Sequence, residues 1–198
     1  MTSKTRIRTA LATAAVALCA IPATGMASTN FGAELTPDTQ PSNSSVDGAP
    51  CQLDTPTPCT RVSMEAYGRP DGGEVAPKTG TIKKIRVISL GPDTFRFQLA
   101  KAKPDSEKAK VVYSSKKLHT QGQSDPNADT YEIETFKVNA PVEKGEYLAT
   151  SSKTSSMLRC SSGGPNQLQF IPALDVGGPF QTATQTDGCW LLLEAVIK

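Results

Sequence analysis

The cysteines are the residues whose chemistry depends most on spacing. Cys51 and Cys59 have seven residues between them, and Cys160 and Cys189 follow much later in the chain. Zinc sites usually combine closely spaced Cys-x2–4-Cys pairs with histidines, and redox sites use Cys-x-x-Cys; the sequence has neither arrangement. We therefore predict no metal ion, no cofactor and two disulfides. We favour the pairs Cys51–Cys59 and Cys160–Cys189. The other two ways of pairing these four cysteines stay open.

Residues that commonly catalyse hydrolysis are sparse. His119 is the only histidine, so any Ser-His-Asp or Cys-His site would have to use it, and no Gly-x-Ser-x-Gly elbow is present. Glu132 and Glu134 alternate on one predicted strand, while Glu143 and Glu146 flank a predicted turn. Glycosidases need two carboxylates that face each other across a cleft. We predict a protein that is not an enzyme and has no catalytic residues; the alternative is an extracellular enzyme acting on polysaccharide or cell-wall material.

Aromatic rings form no row of the kind that sugar-binding β-sandwiches present. Trp190 is the only tryptophan, and it follows Cys189 directly at the start of an apolar segment. We therefore expect Trp190 to pack in the core near the disulfide. Tyr67, in "EAYGRPDGG", is the ring that we expect to be most exposed.

Basic residues concentrate between Lys78 and Lys117. This block holds 11 lysines and arginines and three acidic residues, a formal charge of +8. We expect Lys84, Arg86 and Arg96 to project from one outer sheet face on neighbouring strands. The candidate ligand-binding residues are Lys83, Lys84, Arg86, Arg96, Lys101, Lys103, Lys108 and Lys110.

A positive face attracts an anionic partner, such as cell-wall polyphosphate or another anionic polymer. The same charges also occur on outer faces that keep edge strands soluble, so this alternative stays open. We expect no nucleic-acid partner, because the chain is predicted to be exported and lacks aromatic residues among the bases.

The N-terminus has the three parts of a secretory signal. Three basic residues among the first eight precede an apolar run from Ala10 to Ile21, and Pro22 ends the run. The run is shorter than the roughly 20 apolar residues that a transmembrane helix needs. We predict a signal peptide over residues 1–27 with cleavage after Ala27, or alternatively after Gly25.

The predicted compartment is extracellular, either secreted or on the cell surface. Cys19 lies inside the apolar run and follows Leu18, whereas a lipidated cysteine normally follows a small residue at the end of such a run, so we expect no lipid anchor. The leader contains three of the 21 basic residues and none of the 19 acidic ones. The processed chain would therefore carry 18 bases and 19 acids, a formal net charge of −1.

Two regions follow the predicted leader. Residues 28–58 are rich in Pro, Ser, Thr and Asn and have too few large apolar side chains to offset the entropy of ordering, so they predict a flexible linker. Residues 59–198 show apolar side chains at every second position, as in "TFRFQLA" and "KIRVIS". Turn-forming segments such as "KPDSE" and "APVEKGE" separate these stretches. The pattern predicts a single all-β domain, an antiparallel β-sandwich.

The blocks "TGTIKKIRVIS", "TFRFQL", "FKVNAPVEKGEYLA" and "LLLEAVI" resemble a group of uncharacterised secreted proteins of high-GC Gram-positive bacteria. The shared pattern includes a V-x-x-G-[DE]-x-[IL] turn, represented here by Val142, Gly145, Glu146 and Leu148. The group more often has Asp where this chain has Glu146. The resemblance implies a signal peptide and a jelly-roll-like β-sandwich, and it carries over no site residues. Together these features predict a non-enzymatic binding or structural module of the cell envelope.

Overall fold

The computed structural model describes residues 28–41, 57–69, 72–125, 127–161 and 164–198. Its strands are β1 (Thr29–Gly32), β2 (Cys59–Ser63), β3 (Gly80–Val87), β4 (Asp93–Lys103), β5 (Lys108–Thr120), β6 (Glu134–Val142), β7 (Tyr147–Ser152), β8 (Leu158–Cys160), β9 (Gln167–Phe170), β10 (Gln181–Thr182), β11 (Gln185–Asp187), β12 (Cys189–Leu191) and β13 (Leu193–Ile197). A single 3-10 turn, Pro104–Ser106, interrupts the strands of the described chain. The prediction of an all-β protein is confirmed.

The strands form two main antiparallel sheets. One has four strands in the order β1-β13-β3-β6, and the other has seven in the order β10-β5-β4-β7-β2-β9-β11. A separate two-stranded ribbon pairs β12 with β8. Strands adjacent in sequence therefore often lie in different sheets, as β3 and β4 do.

The main core lies between the two sheets. Ile82 and Ile85 of the four-stranded sheet share one buried cluster with Phe95, Phe97 and Leu99 of the seven-stranded sheet. Burying such side chains contributes roughly 1.5–3 kcal/mol each. Because neighbouring residues of a strand point to opposite faces, the inward Phe95 and Phe97 direct the side chains of Thr94 and Arg96 outward.

A second apolar cluster covers part of the other face of the seven-stranded sheet. It includes Val62, Val111, Leu168 and Phe170 of the sheet strands. Leu174, from the segment after β9, joins this cluster and is 5% exposed. That segment thus covers part of the outer face, while the part around Arg96 stays exposed.

The predicted flexible linker is wrong at its start, because residues 29–32 form strand β1. This strand pairs antiparallel with β13, with Phe31 opposite Ala195. Phe31 is fully buried in the main core, and Ala33 and Leu35 belong to a smaller buried cluster. Two large apolar residues therefore suffice to order this segment when a neighbouring strand offers an edge. Residues 42–56 of the predicted linker, which include Cys51, lie outside the described residues, as do Cys19 and the rest of the predicted signal peptide.

The predicted Cys160–Cys189 disulfide is confirmed. Its two cysteines are opposite each other in the β8–β12 ribbon. Cys59 is also disulfide-bonded, while its predicted partner Cys51 is not among the described residues. No helix of the described chain is long and apolar enough to cross a membrane.

Candidate binding surfaces

The predicted basic face is divided between the two sheets. Lys83, Lys84 and Arg86 lie on β3 of the four-stranded sheet. The other candidates lie on β4 and β5 of the seven-stranded sheet: Arg96, Lys101, Lys103, Lys108 and Lys110. The expectation that Lys84, Arg86 and Arg96 share one outer face on neighbouring strands is therefore wrong. The strands β3 and β4 are consecutive in sequence, but their connection crosses from one sheet to the other.

Two of the three β3 bases have protein partners. Arg86 Nη1 donates to Glu194 Oε2 at 2.5 Å, and the same carboxylate also pairs with Arg69 at 3.0 Å through its other oxygen. Lys83 Nζ donates to Asn139 Oδ1 at 2.6 Å. The ion pairs at Glu194 leave this part of the sheet with less positive charge to offer a ligand than the sequence suggests.

The lysines of the β4–β5 hairpin form a second group. Lys101 lies opposite Lys110, and Lys103 lies opposite Lys108. The ammonium groups of Lys103 and Lys110 approach the ring of Phe180, at 4.6 Å and 5.1 Å from its centroid. The ring thus holds two of the four cations by cation–π attraction.

A third group surrounds an open cleft of about 530 Å³ on the outer face of the seven-stranded sheet. We call this the basic cleft, and define it by Arg96, Lys117, His119 and Lys153 together with the polar residues Thr94 and Ser151. Only Arg96 among these belongs to the predicted ligand-binding set. All four basic or imidazole side chains are exposed.

The sheet register explains why these side chains meet. Arg96 of β4 lies opposite both Lys117 of β5 and Ser151 of β7. Directly opposite residues of antiparallel strands project from the same face. Two residues further along, Thr94 lies opposite His119, and Lys153 follows the end of β7. The result is two adjacent rows of polar side chains across three strands.

The side chains of the cleft are held by few bonds. Arg96 Nη1 donates to the backbone oxygen of Ser115 at 2.7 Å, and His119 Nδ1 lies 2.9 Å from Thr94 Oγ1. Within the described part of the chain, Arg96, Lys117 and Lys153 form no ion pair with a carboxylate. Their charges are therefore available to a ligand.

Asp93, an acidic residue, also lines the cleft, but its side chain is almost fully buried. Its residue is 6% exposed, and its position on β4 places it on the inward face with Phe95. There it interacts electrostatically with Arg61, as does the buried Asp187. The carboxylate of Asp93 thus balances an interior cation and leaves the cleft positive.

Arg61 is a buried cation and is a structural residue. It is 1% exposed, and its Nη1 donates to Ser152 Oγ at 3.0 Å. Burial lowers the pKa of Arg61 to about 10, and attraction to Asp93 and Asp187 opposes that shift. Asp187 in turn accepts hydrogen bonds from the Cys189 N–H at 2.9 Å and from the Gln169 amide. This network connects β2, β9 and β11 inside the sandwich.

The turn between β6 and β7 brings two carboxylates close to one lysine. Lys101 Nζ lies 2.6 Å from Glu143 Oε2 and 4.0 Å from Glu146 Oε1. A hydrogen bond and the charge of Lys101 lower the pKa of Glu143, whereas burial raises the pKa of Glu146. Glu146 Oε2, however, accepts the backbone N–H of Glu143 at 3.0 Å, and the residue is 4% exposed. Both carboxylates line a small cleft of about 390 Å³. Glu146 is nevertheless held by the backbone of its own turn, and Glu143 by Lys101, so both are engaged in structural contacts.

The described residues contain no group of three or more His, Cys, Asp or Glu side chains placed to hold a metal ion. No family model, no curated protein and no solved structure matches the chain. The resemblance in the sequence blocks therefore stays an expectation, and function has to be argued from the surfaces themselves.

Sequence reasoning missed Lys153 and did not select Lys117. Lys117 lies within the basic block, but the block gives no reason to prefer it over Lys108 or Lys110. Lys153 stands alone in "TSSKTSS", 36 residues after Lys117. Only the pairing of β7 with β4 brings it to the cleft, and no local pattern in the sequence signals that pairing.

Proposed function

We propose that this protein is a secreted or cell-surface β-sandwich without enzymatic activity, a binding module of the envelope that holds an anionic polymer in the basic cleft. The observation that carries the proposal is the grouping of Arg96, Lys117 and Lys153 around one open cleft. These three cations come from three adjacent strands or their ends, and none of them forms an ion pair with a described carboxylate.

The arrangement suits a polymer better than a single small anion. Neighbouring strands are about 4.8 Å apart, so cations on β5, β4 and beyond β7 spread over roughly 10 Å of surface. A chain with repeated negative groups can contact all three cations at once, whereas one phosphate group would contact one or two. The cleft is open to solvent, which also supports entry of a long ligand.

An extracellular location is supported by the Cys160–Cys189 disulfide. Disulfides form and persist in oxidising compartments and are rare in the cytosol. The predicted leader gives an independent reason for export. Outside the cell, anionic envelope polymers are the abundant polyanions that a positive cleft would meet.

The test compares two triple variants of the processed chain that lose the same charge. One replaces Arg96, Lys117 and Lys153 by Gln; the control replaces the hairpin residues Lys103, Lys108 and Lys110 by Gln. Binding of long-chain inorganic polyphosphate, of alginate and of neutral dextran is measured over a salt series. Polyphosphate and alginate distinguish a phosphate polymer from an acidic polysaccharide, and dextran controls for uncharged contacts.

We expect the cleft variant to bind the polyanion at least tenfold more weakly at low salt and the hairpin variant to change less than twofold. For nucleic acids, each neutralised phosphate contributes about 0.7–0.9 to the slope of log K against log salt. Loss of three such contacts should therefore reduce the slope by about 2. Equal losses in both variants, or no salt-sensitive binding by the parent chain, would refute the assignment to the cleft.

A further inference from the structure

A second cleft lies beside the β8–β12 ribbon and shares no lining residue with the basic cleft. Its volume is about 600 Å³, and we call it the aromatic cleft. Its lining includes Glu65, Tyr67, Arg69, Glu74 and Trp190. The expectation that Trp190 lies in the core is therefore wrong, because Trp190 is only half-buried and one part of its indole faces this cleft.

Two aromatic rings line the aromatic cleft, and a guanidinium that is not part of the lining packs against one of them. The rings of Tyr67 and Trp190 meet edge to face, with centroids 5.6 Å apart and planes at 65°. Arg159, the cross-strand neighbour of Trp190, places its guanidinium carbon 5.0 Å from the centre of the Tyr67 ring. The disulfide beside Trp190 fixes the ribbon, so this aromatic pair is held in place before any ligand arrives.

The aromatic cleft also offers unused hydrogen-bonding groups. Among the described residues, neither the Tyr67 hydroxyl nor the Trp190 indole N–H has a hydrogen-bond partner, and the Glu65 and Glu74 carboxylates form no ion pair. Arg69 is different, because its guanidinium is bound to Glu194 at 3.0 Å and to the Gly32 carbonyl at 2.8 Å. The free groups are therefore two donors on aromatic rings and two acidic acceptors.

We propose that the aromatic cleft binds an uncharged saccharide, one or two pyranose units of a longer glycan. A pyranose has an apolar C–H face and a rim of hydroxyl groups. The rings of Tyr67 and Trp190 offer the apolar surface and one donor each, and the carboxylates of Glu65 and Glu74 accept hydroxyl protons. Two free carboxylates also disfavour an anionic ligand by charge repulsion, so this cleft and the basic cleft select different polymers.

The chain carries its own reporter for this site. Trp190 is the only tryptophan, so intrinsic fluorescence reports directly on the aromatic cleft. The processed chain is titrated with uncharged hexasaccharides of glucose with α or β linkage, of xylose and of N-acetylglucosamine, and Trp190 emission is followed. We expect a saturable change in emission with at least one of them and no change with polyphosphate.

Two variants locate the binding. Tyr67→Ala removes one ring and leaves the reporter, and the double variant Glu65→Gln with Glu74→Gln keeps both side-chain shapes in case loss of the ring disturbs the fold. Each should weaken binding at least tenfold, while Glu107→Gln, an exposed carboxylate on the β4–β5 hairpin, should bind as the parent does. The inference is overturned if no hexasaccharide changes the emission at millimolar concentration, or if the double variant retains the parent's affinity.

Discussion

Replacing the buried Arg61 by Met tests whether the interior of the sandwich depends on a balanced charge cluster. Arg61, Asp93 and Asp187 are all nearly inaccessible to solvent. Burial lowers the pKa of Arg61 from its ordinary value to about 10, which corresponds to a cost of about 3 kcal/mol for the charged form in the fold. Both the folded and the unfolded chain are charged at Arg61 near neutral pH. The fold therefore carries this cost there and loses it progressively only above about pH 10, as the folded chain releases its proton before the unfolded chain does.

Removing the cation alone should nevertheless destabilise the protein. Arg61→Met leaves the carboxylates of Asp93 and Asp187 buried without their cation, and breaking a buried charge pair in this way typically costs about 3–5 kcal/mol. A triple variant that adds Asp93→Asn and Asp187→Asn removes all three charges together. Since uncharged replacement of a whole buried cluster is often neutral or stabilising, we expect the triple variant to recover most of the loss.

The assay is urea denaturation of the processed, oxidised chain at pH 7, followed by far-ultraviolet circular dichroism. Arg96→Met is the matched control: it removes an exposed arginine from the same sheet and should change the free energy of unfolding by no more than about 0.5 kcal/mol. The reasoning is refuted if Arg61→Met lowers the free energy of unfolding by less than about 1 kcal/mol. It is also refuted if the triple variant is no more stable than Arg61→Met, because the two acids would then not depend on this cation.

Three further substitutions test other parts of the fold. Phe31→Ala should lower the free energy of unfolding by about 3–5 kcal/mol, because it opens a cavity in the main core; a loss no larger than that of the exposed Val176→Ala would mean that β1 contributes nothing. Glu146→Gln should gain stability relative to the parent as the pH rises from 4 to 7, measured by thermal unfolding. Burial raises the pKa of Glu146. The contribution of Glu146 to the stability of the parent is therefore complete below the ordinary pKa of 4.5 and is lost as the pH rises through the raised pKa. Glu143→Gln should do the reverse, because Lys101 lowers the pKa of Glu143 and its contribution is lost as the pH falls; equal trends in the two variants would contradict both assignments.

The local features of this fold were readable from the sequence because they depend on neighbouring residues. The alternation in "TFRFQLA" correctly predicts β4, with Phe95 and Phe97 buried. The turn between β6 and β7 also follows the sequence: Val142 is buried, and Gly145 has a φ of +87°. A residue with a Cβ rarely adopts that backbone conformation, so the glycine itself locates the turn.

The binding surfaces were not readable, because they depend on which strands become neighbours. The bases between Lys78 and Lys117 would form one patch only if β3, β4 and β5 belonged to the same sheet. In the structure β4 and β5 are neighbours in the seven-stranded sheet, whereas β3 belongs to the four-stranded sheet. Likewise, Trp190 was assigned to the core from its apolar flank. Its segment instead divides at Leu192 into β12 and β13, which enter different sheets. The division turns Trp190 toward Tyr67, a residue far away in the sequence.

The two clefts rely on different physical interactions, so retention on isolated cell walls can be separated into two contributions. Attraction to the basic cleft decreases steeply with salt, because it depends on exposed charges. Contact with Tyr67 and Trp190 depends on apolar area and short hydrogen bonds, which salt screens very little, and a soluble hexasaccharide should compete with it. Retention removed by salt alone supports only the basic cleft, and retention removed by sugar alone supports only the aromatic cleft. If release requires salt and the hexasaccharide together, both clefts hold the cell wall at once. The protein would then link a charged polymer in the basic cleft to an uncharged polymer in the aromatic cleft.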